Sequence, residues 1–176
     1  MKDRKSLLVS RFRISKKERR ALVAKLREEL GERAAALVEG EEDVEIARLR
    51  HPKFEEIVLV KGVPAYFYYE GEVYPSLLLL YRLGYDPGLP RVYVDAGAVP
   101  HILNGADVMV PGITRVEGDF GEGEKLFVAD EEKKRVFAVG KALMSSESIR
   151  EAGRGKAVLN VHYAGDELWK IMNQVF

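Results

Sequence analysis

The chain has 176 residues, of which 47% are hydrophobic and 32% charged, and its acidic and basic residues balance to zero net charge. This length suits one large or two small domains, and the absence of cysteine excludes disulfides, thiolate metal sites and a cysteine nucleophile. Residues 1–20 lack the apolar core of a signal peptide, and no apolar run is long enough to cross a bilayer, so we expect a soluble, cytoplasmic protein with no membrane partner.

Charge is distributed unevenly along the chain, although the total is zero. Residues 1–27 carry eleven Lys or Arg and two acidic residues, a net charge of +9. Residues 28–50 carry a net charge of −5, and residues 91–176 a net charge of −2. The many charged residues and few Asn and Gln are typical of thermophilic proteins. A basic arm of this density favours contact with phosphates, and the alternative is a solvated helix surface.

The first predicted elements are a strand over residues 7–14 and a helix over residues 16–30. Ser15 and Glu18 have the spacing of a capping box, and Gly31 signals the end of the helix. The apolar residues of this helix fall on one side and predict its core face. At about 100° per residue, three cations lie beside that face within roughly 40° of one another. They are Lys16, Arg20 and Arg27.

Three further strands are predicted over residues 44–49, 57–60 and 63–69, with a hairpin turn at Lys61 and Gly62. Pro64 suggests that the last of them lies at the edge of its sheet. A short helix is predicted over residues 76–83. Residues 85–90 contain two prolines and a glycine, which break regular structure and predict a linker. Residues 1–84 are therefore predicted to form an N-terminal α+β domain with a small α/β layout.

Beyond the linker, short and closely spaced strands predict a small barrel of mixed β structure rather than a sandwich. The predicted strands cover residues 91–94, 107–110, 113–117, 126–129, 136–144 and 157–161. Short helices are predicted over residues 97–104 and 146–151. The second domain is predicted to span residues 91–168. A last helix begins at Asp166 with Trp169 as its expected core anchor, and residues 169–176 form its end.

The most informative stretch is residues 94–113, which place a strand, a helix, a turn and a strand close together. Gly97, Gly105 and Gly112 bracket these elements, and glycine lets the main chain turn or approach another molecule closely. Exposed backbone amides at such turns suit a phosphate or sugar partner better than a reaction centre. We predict a positive φ at Gly105, and we predict that Asp95 accepts N–H bonds at the start of the helix.

The pattern Val-Asp-x-Gly-Ala-x-x-x-Ile-x-x-Gly-Ala-Asp-Val-Met-x-Pro-Gly-Ile, read from Val94 to Ile113, resembles the PUA domain, an RNA-binding module. Further matches at residues 74–80 and 160–169 resemble archaeal relatives of the malignant T-cell-amplified-sequence family of translation factors. The resemblance implies a PUA-type pseudobarrel behind the N-terminal domain. It implies binding of ribosomal RNA or tRNA on the small ribosomal subunit, in initiation, reinitiation or recycling. A second translation factor would bind through the N-terminal domain.

The RNA groove of PUA modules follows the first helix, the glycine turn after it and the next strand. By position, the resemblance implies a groove formed by Gly97, Ala98, His101, Gly105, Ala106 and Asp107, with Arg115 and Lys141 as nearby cations. A module with a charge of −2 needs a second contact for strong RNA affinity. We predict that the three aligned cations Lys16, Arg20 and Arg27 supply that contact.

The sequence contains no recognisable catalytic set. His51, His101 and His162 lack metal-ligand spacing, and Asp107 has no partner carboxylate for acid–base chemistry. A hydrolase elbow, a Walker loop and a dinucleotide fingerprint are all absent from the sequence. We therefore predict a non-catalytic RNA-binding protein without metal or cofactor. Two alternatives stay open: an RNA-modification enzyme or its PUA-containing targeting subunit, and a protein-interaction adaptor, which salt-dependent RNA binding would distinguish.

Overall fold

A computed structural model describes residues 3–176 and divides the chain into two compact units. The first unit combines the residues up to Gly88 with Glu167–Phe176, and the second is Leu89–Asp166. Each unit has its own sheet and its own helices, which confirms the predicted α+β class. Among the described residues, no helix has the length and apolar character needed to cross a membrane.

The described part of the chain contains six α-helices, which are α1 (Lys16–Leu30), α2 (Glu32–Glu39), α3 (Leu77–Tyr81), α4 (Val99–Ile102), α5 (Ser146–Glu151) and α6 (Glu167–Val175). It contains eleven strands, which are β1 (Leu8–Arg13), β2 (Val44–Leu49), β3 (Glu56–Val60), β4 (Val63–Tyr69), β5 (Glu72–Pro75), β6 (Arg91–Val94), β7 (Val108–Met109), β8 (Ile113–Glu117), β9 (Lys125–Asp130), β10 (Val136–Ala142) and β11 (Lys156–Tyr163). Short 3₁₀ turns cover Arg4–Leu7 and Val110–Gly112.

Helix α1 begins and ends at the predicted residues. The Ser15 hydroxyl accepts the N–H of Glu18 at 3.1 Å, and the Glu18 carboxylate accepts the N–H of Ser15 at 3.0 Å. These two bonds complete the predicted capping box. The backbone bond from Ser15 also lowers the pKa of Glu18, because it stabilises the ionised carboxylate. The buried face of the helix consists of Leu22, Val23, Leu26 and Leu30.

Helix α2 is not predicted by the sequence pattern, because Gly31 signals a helix end and eight residues are too few to show a clear period. Its small buried residues Ala34 and Ala35 let it pack closely within the first unit, where it contacts α1. The buried hydroxyl of Tyr66 donates to the carbonyl of Ala34 at 2.9 Å. The Arg19 guanidinium caps the carboxyl end of α2 by donating to the carbonyls of Val38, Glu41 and Glu42.

The sheet of the first unit is antiparallel throughout, with the order β1-β2-β3-β4-β5. Strand β4 has neighbours on both sides, so the prediction that Pro64 marks an edge strand is wrong. Pro64 lies where the β3–β4 register shifts between Val58 and Leu59, and such an irregularity tolerates a missing N–H. Consecutive residues of β3 and β4 are buried, as in a sheet covered on both faces.

Helix α6 belongs to the first unit, although it follows the second unit in the sequence. The Arg4 guanidinium forms two 3.1 Å bonds to the Glu167 carboxylate, and Arg82 donates to Asn173 at 2.7 Å. Trp169 is half-buried and packs edge-on against Tyr81 with ring centroids 5.7 Å apart, so its prediction as the core anchor is wrong. The buried anchors of α6 are Leu168, Ile171 and Met172.

The second unit contains a mixed sheet with the order β7-β11-β10-β9-β6-β8, in which β6 and β9 are parallel. Every predicted strand of this unit is present, with bounds within two residues of the prediction. Helix α5 has the predicted bounds, whereas α4 is a single turn, shorter than the predicted helix over residues 97–104. Register shifts interrupt four of the strand pairs, and such bulges increase the local twist of a sheet.

The register shift between β10 and β11 depends on Gly140. A Cβ atom at this position would lie 2.4 Å from Cγ1 of Val158 and 2.6 Å from the carbonyl oxygen of Leu159. Both distances are shorter than van der Waals contact, and one of the two atoms belongs to the backbone. Only glycine fits here without displacing β11.

Candidate nucleic-acid interface

The turn between α4 and β7 is a rigid structure held by its own backbone. Gly105 has φ +96°, which confirms the predicted positive value. Its N–H donates to the carbonyl of Ile102 at 3.0 Å, and the N–H of Ala106 donates to the carbonyl of His101 at 3.0 Å. These two bonds form a Schellman motif, in which a glycine in the left-handed region ends the helix.

The amides of this turn are therefore used internally. Those of Gly105 and Ala106 bond to α4, and the N–H of Ala98 donates to the carboxylate of Asp95 at 2.9 Å. Asp95 accepts an N–H bond, as predicted. The bond comes from Ala98 and closes the turn that precedes α4, since the helix itself begins at Val99. The expectation that these three amides face a phosphate is wrong, because each already has an acceptor. A ligand that leaves these three bonds intact meets side chains and carbonyl oxygens at these positions.

Asn160 on β11 fixes the turn to the sheet. Its side-chain amide donates to the carbonyls of Ile102 and Ala106, both at 3.0 Å. Its backbone N–H donates to the Asp107 carboxylate at 2.9 Å, and Lys156 lies 3.5 Å from the other oxygen of that carboxylate. Asp107, a predicted groove residue, thus holds the turn in place. Asn160 was not among the predicted site residues, although it lies in the C-terminal motif at residues 160–169.

Several side chains of the turn remain open to solvent. His101 and Ala106 are exposed, and so are the apolar Leu103 and Met109, at 39% and 45%. Exposed apolar side chains that are surrounded by polar groups often mark a site that binds another molecule. The side chain of Lys156 on β11 is 63% exposed and adds a positive charge beside Asp107. The turn thus presents an imidazole, an ammonium and apolar contacts.

The two cations predicted to lie near the groove are in different settings. Arg115 on β8 lies 3.8 Å from the centroid of the Tyr93 ring and forms ion pairs with Glu117 and Glu131 at 3.5 and 3.6 Å. Lys141 is half-buried on β10, opposite Lys125 on β9. The ring and the carboxylates that Arg115 contacts lie on β6, on β8 and after β9, and the place of Arg115 and Lys141 in the groove stays a prediction.

The predicted cations of α1 divide into two groups. Arg27 is engaged by two carboxylates, Glu32 at 2.7 Å and Glu39 at 2.9 Å, and the bond to Glu32 is the main reason that its pKa is raised. Lys16 and Arg20 are exposed and form no ion pair with the described residues. The same holds for Lys17, which was not predicted as a site residue. Lys16 and Lys17 lie in the first turn of α1, where the helix dipole opposes a positive charge, so they do not stabilise the helix.

Most of the remaining charge of the basic arm is neutralised within the first unit. Arg4, Arg11, Arg13 and Lys25 pair with carboxylates, and Arg19 donates to carbonyls. The net charge of the arm therefore overstates what it offers to a ligand. The unpaired cations on α1 concentrate in its first two turns.

The described residues include one buried pair of the kind that serves as a general base in enzymes. His162 Nδ1 lies 2.9 Å from the Asp166 carboxylate, which also accepts the N–H of Tyr163 at 3.0 Å. His162 is 0% exposed, so a substrate cannot reach its ring. The pair joins the end of β11 to the turn before α6, and its role is structural. Among residues 3–176 no three acidic or histidine side chains are grouped as metal ligands.

Two domain families match the chain. The PUA domain matches residues 90–164, and a domain of unknown function, DUF1947, matches residues 10–83. The crystal structure of a PUA domain from Aeropyrum pernix superimposes with a TM-score of 0.78 and 33% sequence identity, covering 94% of this chain and 92% of that one.

Two curated relatives carry names that bear on function. Translation machinery-associated protein 20 of Schizosaccharomyces pombe is 34% identical over 107 residues, which are 58% of each protein. Malignant T-cell-amplified sequence 1 of Rattus norvegicus is 36% identical over 124 residues, which are 65% of this chain and 64% of the relative. The chain thus spans about three fifths of the length of these relatives.

Proposed function

Because the chain belongs to the family in which a DUF1947 domain precedes a PUA domain, we propose that it is a non-catalytic RNA-binding protein that works in translation. This family assignment confirms the predicted resemblance. In the proposed role, the protein binds ribosomal RNA or tRNA on the small ribosomal subunit during initiation or recycling. A second translation factor is proposed to bind to the first unit.

The observation that carries the proposal is the rigid turn between α4 and β7. The Schellman motif and Asn160 fix the backbone of this turn, so the positions from which the exposed side chains of His101 and Ala106 project are set before a ligand arrives. A preorganised site loses little conformational entropy on binding. The Lys156 ammonium is 63% exposed beside the turn, although it lies 3.5 Å from the Asp107 carboxylate, in a unit that is mildly acidic as a whole. We propose that RNA contacts this surface through Gly97, Ala98, His101, Gly105 and Ala106, with Asp107 as its support.

A second contact is proposed on α1, formed by Lys16, Lys17 and Arg20. All three are exposed, and the structure describes no ion pair for any of them, so binding a phosphate costs no internal pair. Arg27 is left out of the proposed surface, because Glu32 and Glu39 already neutralise it. Lys and Arg contacts to phosphates release counterions and make RNA affinity depend on salt.

The substitution Ala106→Glu tests the proposed groove. A carboxylate on this exposed position would face the RNA backbone, and juxtaposed like charges are costly, so we expect RNA affinity to fall at least about tenfold. The N–H bond of Ala106 to α4 involves the backbone alone, so the fold is expected to persist. Affinity is measured with purified small ribosomal subunits and with total tRNA, and folding by circular dichroism.

The matched control for this variant is Ala36→Glu, which makes the same change at an exposed position of α2. It should bind RNA like the parent protein. A folded Ala106→Glu variant with parental affinity for both RNA samples would show that the groove lies elsewhere.

Replacing Lys16, Lys17 and Arg20 together with Gln tests the second contact. The plot of log affinity against log salt concentration should become shallower by about 2 to 3 units, since each phosphate contact contributes roughly 0.7–0.9. Glutamine keeps a high helix propensity, so α1 should remain intact. The control Arg27→Gln should leave the slope nearly unchanged. Equal slopes for the triple variant and the parent would mean that these cations are only solvated.

A further inference from the structure

Strand β8 leaves one edge of the second unit's sheet open. Among the described strands it pairs only with β6, at the end of the strand order. Outside that pairing, no backbone group of residues 114–117 has a hydrogen bond to another described residue. An open strand edge presents a row of N–H and C=O groups to which an extended chain can pair.

A groove of about 440 Å³ follows this edge. Four consecutive residues of β8, 113–116, line it. Since side chains alternate between the two faces of a strand, consecutive lining residues mean that the groove runs along the edge rather than over one face. The opposite wall is formed by Ile149 and Arg150 of α5 and by the turn after it. We call this space the β8–α5 groove. An open strand edge facing a helix is a geometry that accepts an added strand.

The β8–α5 groove combines polar surface, aliphatic side chains and a positive charge. Its lining includes Arg115 and Arg150 but no carboxylate, and most of its other side chains are aliphatic. The two arginine side chains are 45% and 44% exposed. Their carboxylate partners stand outside the groove, and exposed pairs of this kind contribute little to stability, so a ligand's carboxylate can replace them. The five residues of β8 offer about 16 Å of edge at roughly 3.3 Å per residue.

We propose that the β8–α5 groove binds an extended acidic segment of a partner protein, which adds to β8 as a further strand. The backbone of the segment pairs with the open edge, its aliphatic side chains pack against the partly exposed Val116 and Ala152, and its carboxylates meet Arg115 and Arg150. Pairing with a strand edge requires the alternating N–H and C=O groups of a peptide, which RNA lacks. This site does not depend on the proposed RNA-binding role.

The test uses two synthetic peptides and the full ¹⁵N-labelled protein. The first peptide is acetyl-Glu-Val-Glu-Val-Glu-Val-Glu-amide, and the second is the same peptide with the backbone nitrogen of every residue N-methylated. The first should cause saturable shifts in the amide signals of residues 113–117 and 149–153. The second should bind at least about tenfold more weakly, because it cannot donate the backbone bonds of an added strand.

Charge variants complete the test. Arg150→Glu should weaken binding of the acidic peptide by about three- to tenfold, whereas Arg154→Glu, an exposed site outside the groove lining, should not. The proposal is overturned if the acidic peptide gives no saturable shifts, or if the N-methylated peptide binds equally well. It is also overturned if oligouridine shifts the signals of β8 and the peptide does not.

Discussion

The substitution Gly140→Ala is expected to destabilise the second unit by about 3 kcal/mol, at the upper end of the range for overpacked positions. The new Cβ would lie 2.6 Å from the carbonyl oxygen of Leu159 and 2.4 Å from a methyl group of Val158. Strand β11 must move to relieve these contacts, and β11 also carries Asn160. The change is measured as the free energy of unfolding in urea, followed by far-UV circular dichroism.

A glycine without such neighbours provides the control. At Gly121 a Cβ would meet nothing within 4 Å and the φ angle is not in the left-handed region, so Gly121→Ala should change stability little. If Gly140→Ala unfolds at the same urea concentration as the parent, the bulge between β10 and β11 does not need glycine.

Asp166→Ala is expected to cost about 2–4 kcal/mol, because the buried ring of His162 and the part-buried N–H of Tyr163 lose their acceptor. The Asp166 carboxylate accepts from the N–H of Tyr163 and lies within 2.9 Å of His162 Nδ1, and the His162 side chain is 0% exposed. Water cannot replace the lost acceptor at a ring so deeply buried. The loss should be visible as a lower midpoint of thermal unfolding.

The exposed carboxylate of Asp119 serves for comparison. Its side chain is 91% exposed and pairs with Arg150, so Asp119→Ala should cost less than about 0.5 kcal/mol. RNA affinity should be unaffected by Asp166→Ala at temperatures where the variant is folded. A variant that keeps its stability and loses RNA binding would contradict the structural role assigned to this pair.

The parts of the fold that depend on local signals could be predicted from the sequence. The capping box at Ser15 and the break at Gly31 define α1, and the short, closely spaced strands of the second unit agree with their predicted bounds within two residues. Helix α2 and strand β5 are too short to show a period. The prediction that Pro64 marks an edge strand is wrong because it did not include β5. This short strand pairs with β4 and takes the edge of the sheet.

The site was less predictable, because its chemistry depends on contacts between distant residues. The φ angle of Gly105 follows from local sequence, but whether its amide is free depends on the helix that it ends. Asn160 and Asp107 meet across 53 positions of sequence. Arg27 is neutralised partly by Glu39 on α2, a helix that the sequence pattern does not reveal. A count of charges along the chain could not show which cations are already paired.

The position of α6 has a consequence for how the protein folds during synthesis. The first unit needs residues 167–176, so its Arg4–Glu167 contact closes a loop of 163 positions. The second unit is continuous in sequence, so it can fold before residues 167–176 join the first unit. The order is thus reversed from the usual vectorial one, in which the amino-terminal domain folds first. Once folded, the second unit shortens the flexible loop that remains to be closed, which lowers the entropic cost of completing the first.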